Sequence, residues 1–380
     1  MKAELVSSLA EVGKSEWDSL NASGHPFTSY DFLNSLEISN SVSSKTGWNP
    51  QHIIVKNEKG NIIGVSPNYL KMHSYGEYIF DHAWANAFEN AGGQYYPKVL
   101  SAIPFTPATG PRVLINPNNP DKDKIFELII NMFEMIVQNN NLSSAHLNFI
   151  TDNLNKKLKN EKWIKRKGLQ FHWHNKDYNS FDDFLSKLKS SKRKAIKKER
   201  KTILNNNLVI QKVTGNDLND KIWDSFYDFY LNTIDKKWGG AYLTKNFFYL
   251  INKTMKNNIL LIIAKQDNKI VAGALNFISK NTLYGRNWGS IVDIPFLHFE
   301  LCYYQAIEYA IEHNIKTVEA GAQGHHKIQR GYVAELTYSS HFIQNESFAK
   351  AVRNFVQLEA MEIDKQIELI NQQGSPYSNI

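Results

Sequence analysis

The sequence predicts an α/β protein made of two tandem modules, each a mixed central sheet flanked by helices. Three observations predict it. At 380 residues the chain suggests two domains of roughly 100–200 residues each. Apolar helical patterns alternate with short β-branched strands along its length. One hairpin also occurs twice. Ile53-Ile54-Val55-Lys56-Asn57-Glu58 followed by Asn61-Ile62-Ile63-Gly64 parallels Ile262-Ile263-Ala264-Lys265-Gln266-Asp267 followed by Lys269-Ile270-Val271-Ala272-Gly273. Each copy is an apolar strand, a Lys-polar-acid turn and a second strand reaching glycine, at a similar place in its half. The expected modules are 1–175 and 176–345, with a helix and tail over 346–380.

In order, residues 5–45 read as helical and loop-like, with Thr28 or Ser29 capping a helix that carries Phe32, Leu33, Leu36 and Ile38. The first repeat hairpin turns at Gly60, the residue a tight turn needs. An aromatic, turn-rich stretch follows from Tyr69 to Tyr96. Three prolines limit Ile103–Ile115 to an interrupted or edge strand. Asn119-Pro120 reads as a cap and first turn for a helix burying Ile125, Phe126, Ile129, Met132, Phe133 and Ile136. Strands follow at Ala145–Ile150 and Leu169–His174. In the second half one long basic helix is expected over Phe181–Leu204, then a strand, helices at Trp223–Thr233 and Lys245–Met255, and three strands between Leu260 and Asn287. The stretch Leu297–Tyr332 reads as helix, strand and glycine-punctuated loop. Phe348–Ile370 closes the chain as an amphipathic helix.

Composition narrows the class. The longest aliphatic run, Ile259–Ala264, is far short of the roughly 20 residues a bilayer span needs. No secretory leader is legible in the first twenty residues. The single cysteine, Cys302, rules out an internal disulfide and any CxxC site. These features fit a cytoplasmic enzyme with no integral membrane contact. The formal charge of +7 is modest, so its placement matters more than its size.

A hairpin reaching "I-V-A-G", a third strand and then a helix is the central order of GNAT-type acyltransferases, and the second half resembles that fold. A tandem pair resembles the FemAB family, whose members add amino acids from aminoacyl-tRNA to peptidoglycan precursors. The whole chain is similar to a FemAB-like branch linked to peptidoglycan biosynthesis or recognition. The stretches that carry the likeness are His25-Pro26-Phe27, Asp81-His82-Ala83-Trp84-Ala85, Ser191-Lys192-Arg193-Lys194, Asp235-Lys236-Lys237-Trp238-Gly239, Leu297 to Tyr304, and Glu319-Ala320-Gly321-Ala322-Gln323-Gly324 through Arg330-Gly331-Tyr332. The resemblance implies transfer of an aminoacyl or acyl group to an amine acceptor, a peptide or cell-wall precursor, with no bound cofactor. The donor is aminoacyl-tRNA or acyl-CoA. The chain departs from acyl-CoA enzymes at Asn287–Pro295, which lacks the glycine loop whose amides bind pyrophosphate. It also lacks the sustained heptads of the helical hairpin found in many Fem enzymes. A non-catalytic module recognising peptidoglycan fragments is the reading from another class. The oligomeric state is open.

Acyl transfer to an amine needs a base, a polarised carbonyl and a grip on the leaving group. Glu300, His298 and Glu319 are the candidate catalytic residues. For Glu300 the alternative is a plain helix-terminal acid; for Glu319 it is an ion pair with a base such as Arg330. Lys327, Arg330 and Arg286 suit anions, with Trp288, Gln323 and His325 lining the same region. No metal is expected: His325 and His326 are adjacent, and no HExxH pattern exists. Lys192 and Arg193 contact phosphates or form a solvated face. Lys237 and Trp238 lie near substrate. Asp81, His82 and Trp84 line an acceptor pocket, or Asp81 merely caps a turn.

Overall fold

The computed structural model describes residues 1–158, 161–235, 240–321, 324–372 and 374–378. Lys237, Trp238 and Gln323 lie outside the described residues. Two compact units form: Met1–Gly168 with Leu336–Asp364, and Leu169–Glu335 with Lys365–Ile380. The split differs from the expected 1–175, 176–345 and 346–380. Residues 336–343 belong with the first unit because that part of the strand Val333–Ile343 pairs antiparallel with Ser144–Ile150, Phe342 opposite Ala145. The terminal helix, Glu346–Gln372, passes from one unit to the other.

The first unit holds the first repeat hairpin, His52–Lys56 and Ile62–Ser66, in a small antiparallel sheet. Its outer strands are Lys2–Val6, where no strand was expected, and Leu114–Ile115, the remnant of the proline-rich segment. Gly60 turns the hairpin at φ +84°, a conformation costly for any residue with a Cβ. The helix Lys122–Asn139 buries the expected apolar stripe against it. That helix starts two residues late, because Asn119 Oδ1 accepts from the Asp121 amide (2.9 Å) and holds a turn first. It also connects Lys98–Ser101 to Ser144–Ile150, two strands that pair parallel.

In the second unit the strands Val209–Thr214, Ile259–Gln266, Lys269–Ile278 and Thr282–Ser290 pair antiparallel in that order. Thr317–Glu319 then adds parallel to Thr282–Tyr284, and residues 172–174 add antiparallel to it. Ile259–Ala264 is buried throughout, as a central strand covered on both faces must be. The helix Asp220–Asp235 lies so close that a Cβ on Gly289 would sit 2.2 Å from the Phe229 carbonyl oxygen.

The repeat holds at the level of single residues. In the first hairpin Val55 pairs with Gly64 and Lys56 with Ile62, leaving Ile63 as a bulge; in the second Ala264 pairs with Ala272 and Lys265 with Ile270, leaving Val271. Each unit also joins a parallel strand pair through a crossover helix, the arrangement a mixed α/β sheet requires. The expected fold class is the observed one.

The expected single helix over Phe181–Leu204 is two, Phe181–Ser186 and Ser190–Asn205. The tail interrupts it: Lys189 donates its amide to Pro376 (2.8 Å), and Lys187 accepts from Ser378 (2.9 Å). Among the described residues no helix is long and apolar enough to cross a membrane.

Candidate functional site

The site begins where two strands of the second unit part. The parallel pairing of Thr282–Tyr284 with Thr317–Glu319 ends at Glu319. Two residues beyond Tyr284, the partner of Glu319, that other strand bulges: Ala274 pairs with Trp288 and Asn276 with Gly285, so Arg286 and Asn287 share one position opposite Leu275. Bulges re-aim side chains and end pairing, and they recur beside active sites. The opening sits at the end of a β-strand in an α/β sheet, where such folds place ligands.

Glu319 pairs across the strand with His172, and Val318 with Trp173. Strand alternation puts Val318, Trp173 and Leu283 in the apolar core and turns Glu319 and His172 to the other face. There Glu335 takes both histidines, accepting from His172 Nδ1 (3.1 Å) and binding His174 Nε2. Burial disfavours a charged His172. The Glu335 hydrogen bond and the charges of Glu319 and Glu335 outweigh it and raise its pKa. Those same imidazoles, acting first through their hydrogen bonds, hold Glu335 far below the carboxylate range. The Glu319 carboxyl moves the opposite way: burial pushes it up, and His172 and Arg286 oppose only in part. So two carboxylates in one cluster carry opposite protonation tendencies, the pattern that separates a base from an anchor.

In the same unit aromatic rings converge around His298. His298 lies against Trp288 (ring centroids 5.2 Å), Tyr303 (5.3 Å) and His326 (6.1 Å). The Tyr303 hydroxyl is 2.8 Å from His326 Nε2. Burial, then the charges of Lys327 and Arg330, keep His326 below its ordinary pKa, so it is neutral at pH 7. Lys327 is 1% exposed, and its ammonium donates to the Gly321 carbonyl (3.0 Å); burial lowers its pKa to about 8. It is also close enough to His172 to disfavour the charge there. His325 is exposed beside Phe171. Among the described residues no three His, Cys, Asp or Glu side chains form a group that could hold a metal.

Other predicted residues have different work. Glu300 is buried in a π turn, Glu300–Tyr304, and accepts from Arg200 Nη2 (3.0 Å) and Gln305 Nε2 (2.8 Å). Its oxygens are committed to packing the crossover helix on the basic helix. Arg330 does not pair with Glu319. It donates to Glu199 (2.9 Å), the Tyr304 hydroxyl (2.9 Å) and the His326 carbonyl (2.7 Å), and its guanidinium lies 3.5 Å from the Phe299 ring centre. It positions the loop and is not open to a ligand. Lys192 and Arg193 are half-buried in the first turn of the basic helix, and Arg193 donates to the Ser186 and Leu188 carbonyls (both 3.3 Å).

Asp81, His82 and Trp84 all belong to the first unit. Asp81 makes no side-chain capping bond; it accepts from the Tyr95 hydroxyl (2.7 Å) and Lys98 (2.5 Å). His82 is exposed, and Trp84 packs edge-on to His341 (4.9 Å). The residues missed by sequence reasoning are Glu335, Tyr303 and Glu199. Glu335 had a signal: it is the one acid within the strand Val333–Ile343.

A model of the FemAB-like family, described as peptidoglycan biosynthesis/recognition, matches residues 8–379. No curated protein matches the chain in sequence. Among solved structures, FemX is similar over 93% of this chain and 100% of its own, at 12% identity and a TM-score of 0.55. The C-terminal domain of a proposed lysylphosphatidylglycerol synthetase from Agrobacterium fabrum is similar over 91% and 95%, at 11% identity and 0.56. L-PGS from Bacillus licheniformis is similar over 88% and 97%, at 8% identity and 0.53. At these identities the likeness is one of fold. The family match spans nearly the whole chain, and the chain belongs to the FemAB-like family.

Proposed function

We propose that this chain transfers an aminoacyl or acyl group to an amine acceptor, a peptide or peptidoglycan precursor, with Glu319 as the base. The observation that supports it most is the raised carboxyl of Glu319 at the opening between parted strands, beside a histidine with a raised pKa and an arginine. A carboxylate whose pKa lies nearer neutrality is a stronger base toward an ammonium at physiological pH. The acceptor nitrogen loses a proton to Glu319 and attacks the donor carbonyl carbon. A C–N bond forms, the C–O bond of an ester donor (or C–S of a thioester) breaks, and the leaving oxygen or sulfur takes up a proton. Lys327 supplies positive charge for the carbonyl oxygen. No bound cofactor enters this scheme.

An aminoacyl ester fits better than acyl-CoA. The crossover helix opens after Pro295 on Phe296 at φ +68°, not on a glycine loop, and a buried acid, Glu300, already stands in its first turns. A pyrophosphate there would meet a like charge. An aminoacyl-tRNA donor would place the reaction in the cytoplasm.

Incubation with aminoacyl-tRNA, acetyl-CoA and muropeptides, with mass spectrometry of the product, tests the reading. The expected product is an aminoacylated peptide formed only with the tRNA donor; acetylated product alone would replace that donor. Glu319→Gln should lower turnover by about 10²–10⁴-fold and leave the fold intact. It should also abolish a rate that climbs with pH through a pKa above 4.5, the ordinary glutamate value. Unchanged turnover would remove Glu319 from the mechanism.

A further inference from the structure

We infer that the exposed face of the basic helix Ser190–Asn205 is a docking surface for the phosphate backbone of a polynucleotide. The inference deepens the reading above, since it gives the donor's carrier a place on the chain. The helix carries seven lysines and arginines against one acid, Glu199. Its inner face buries Ile196 and Ile203. Lys194, Lys197, Lys198 and Lys201 fall three or four residues apart and so share one outer face. All four are exposed. Lys197 meets Asp182 at 3.1 Å. Among the described residues Lys194, Lys198 and Lys201 pair with no carboxylate.

Length and chemistry choose the partner. Lys194 to Lys201 spans roughly 10 Å of helix, a row of cations matched to the regularly spaced charges of a nucleic-acid strand. A compact nucleotide carrier such as CoA would leave most of that row unused. A membrane-surface helix needs a broad apolar face beside its cations. Here Leu204 is the only large apolar side chain of this helix that is exposed.

The helix is also tied to the site. Glu199 grips Arg330, and Arg330 holds the carbonyl of His326, next to Lys327. The next residue, Arg200, binds Glu300 and Glu308 of the crossover helix. A carrier bound on the outer face would rest on the element that fixes the loop of the reactive opening.

The test is titration of the full chain with deacylated bulk tRNA at several salt concentrations, beside Lys194→Ala/Lys198→Ala/Lys201→Ala. The wild type should bind with a steep inverse dependence on salt. The variant should lose at least tenfold in affinity at 100 mM salt, and its log–log salt slope should shrink by about 2. These side chains are exposed, so Tm should stay within a degree or two of wild type. If the variant does lose stability, Lys198→Ala alone with a slope change near one serves instead. Equal binding and slope in wild type and variant would overturn the inference, as would binding to anionic phosphatidylglycerol vesicles without binding to tRNA. Failure of the two readings is separable. Glu319→Gln should bind tRNA like the wild type. Binding without transfer in the wild type would keep the docking surface and overturn the transfer reading; transfer with unaltered tRNA affinity in the triple variant would do the reverse.

Discussion

Lys98 in the first unit and Lys327 in the second are both almost fully buried, at 0% and 1% exposure. The first is saturated. Its ammonium donates to Ser74 (2.8 Å), Glu77 (2.9 Å) and Asp81 (2.5 Å). Burial alone would lower its pKa, yet the two carboxylates raise it. Among the described residues the second has one carbonyl as hydrogen-bond partner, and burial brings it to about 8. Depth is the same and the outcome opposite, so the counter-charge decides. Among the described residues Glu77 and Asp81 leave one oxygen each without a partner; burial pushes the Glu77 carboxyl up to about 7, while the Lys98 charge outweighs burial and holds Asp81 below the usual carboxylate range. That cluster is closed on itself and reads as structure. The uncompensated lysine lies beside the histidines, where a poised cation has chemical use.

The sharpest way to break the comparison is Lys98→Met. It strands two buried acids, and removing one partner of such a cluster costs about 3–5 kcal/mol. Urea unfolding should show that loss, without a specific effect on the chemical step under conditions where the variant is folded. A loss under 1 kcal/mol would mean the cluster contributes little. Lys327→Met should go the other way. Holding an ammonium whose pKa falls from 10.5 to about 8 costs the fold on the order of 3 kcal/mol at pH 7. Its hydrogen bond to Gly321 returns about 1 kcal/mol, so the variant should gain about 2 kcal/mol while losing turnover. The sign sets the pH window. The unfolded chain binds more protons than the folded one between pH 8 and 10.5, so the wild type gains stability across that range and the variant's advantage fades there. An advantage unchanged at pH 10.5 would refute the charge argument.

How much of this could be read from the chain alone follows from the range of each interaction. The hairpin repeat was legible because its signal is local; the structure added the bulge at the same place in both copies. Glu319, Arg286 and Lys327 were legible as charged residues; Glu319 does end its strand, but Arg286, expected near a strand end, stands at a bulge inside Thr282–Ser290, and Lys327 lies in the loop helix His325–Arg330. Their partners were not: His172 and Glu335 are 163 residues apart in sequence. Glu300 looks like a helix-terminal acid until Arg200, 100 residues away, reaches it. Lys98 gave no signal, since a lysine after proline reads as surface; its burial depends on the loop carrying Glu77 and Asp81. The break at Lys187–Lys189 was hidden for the same reason, because the tail that causes it lies at the end of the chain.

The smallest expected effects come from two phenols, one per cluster. Tyr95 donates to ionised Asp81 inside the closed group, and a hydrogen bond to a charge contributes about 1.5–3 kcal/mol. Tyr303 bonds neutral His326, a contact of about 1 kcal/mol. Stability should therefore rank Tyr95→Phe below Tyr303→Phe. Activity should rank them in reverse. The Tyr303 hydroxyl fixes the ring of His326 beside His298 and Phe299, so its loss should lower kcat several-fold with KM for the donor nearly unchanged. Tyr95→Phe should move neither constant at a temperature where the variant is folded. If both phenols cost only stability, the aromatic group around His326 is packing, and the chemistry rests on Glu319, His172 and Lys327 without it.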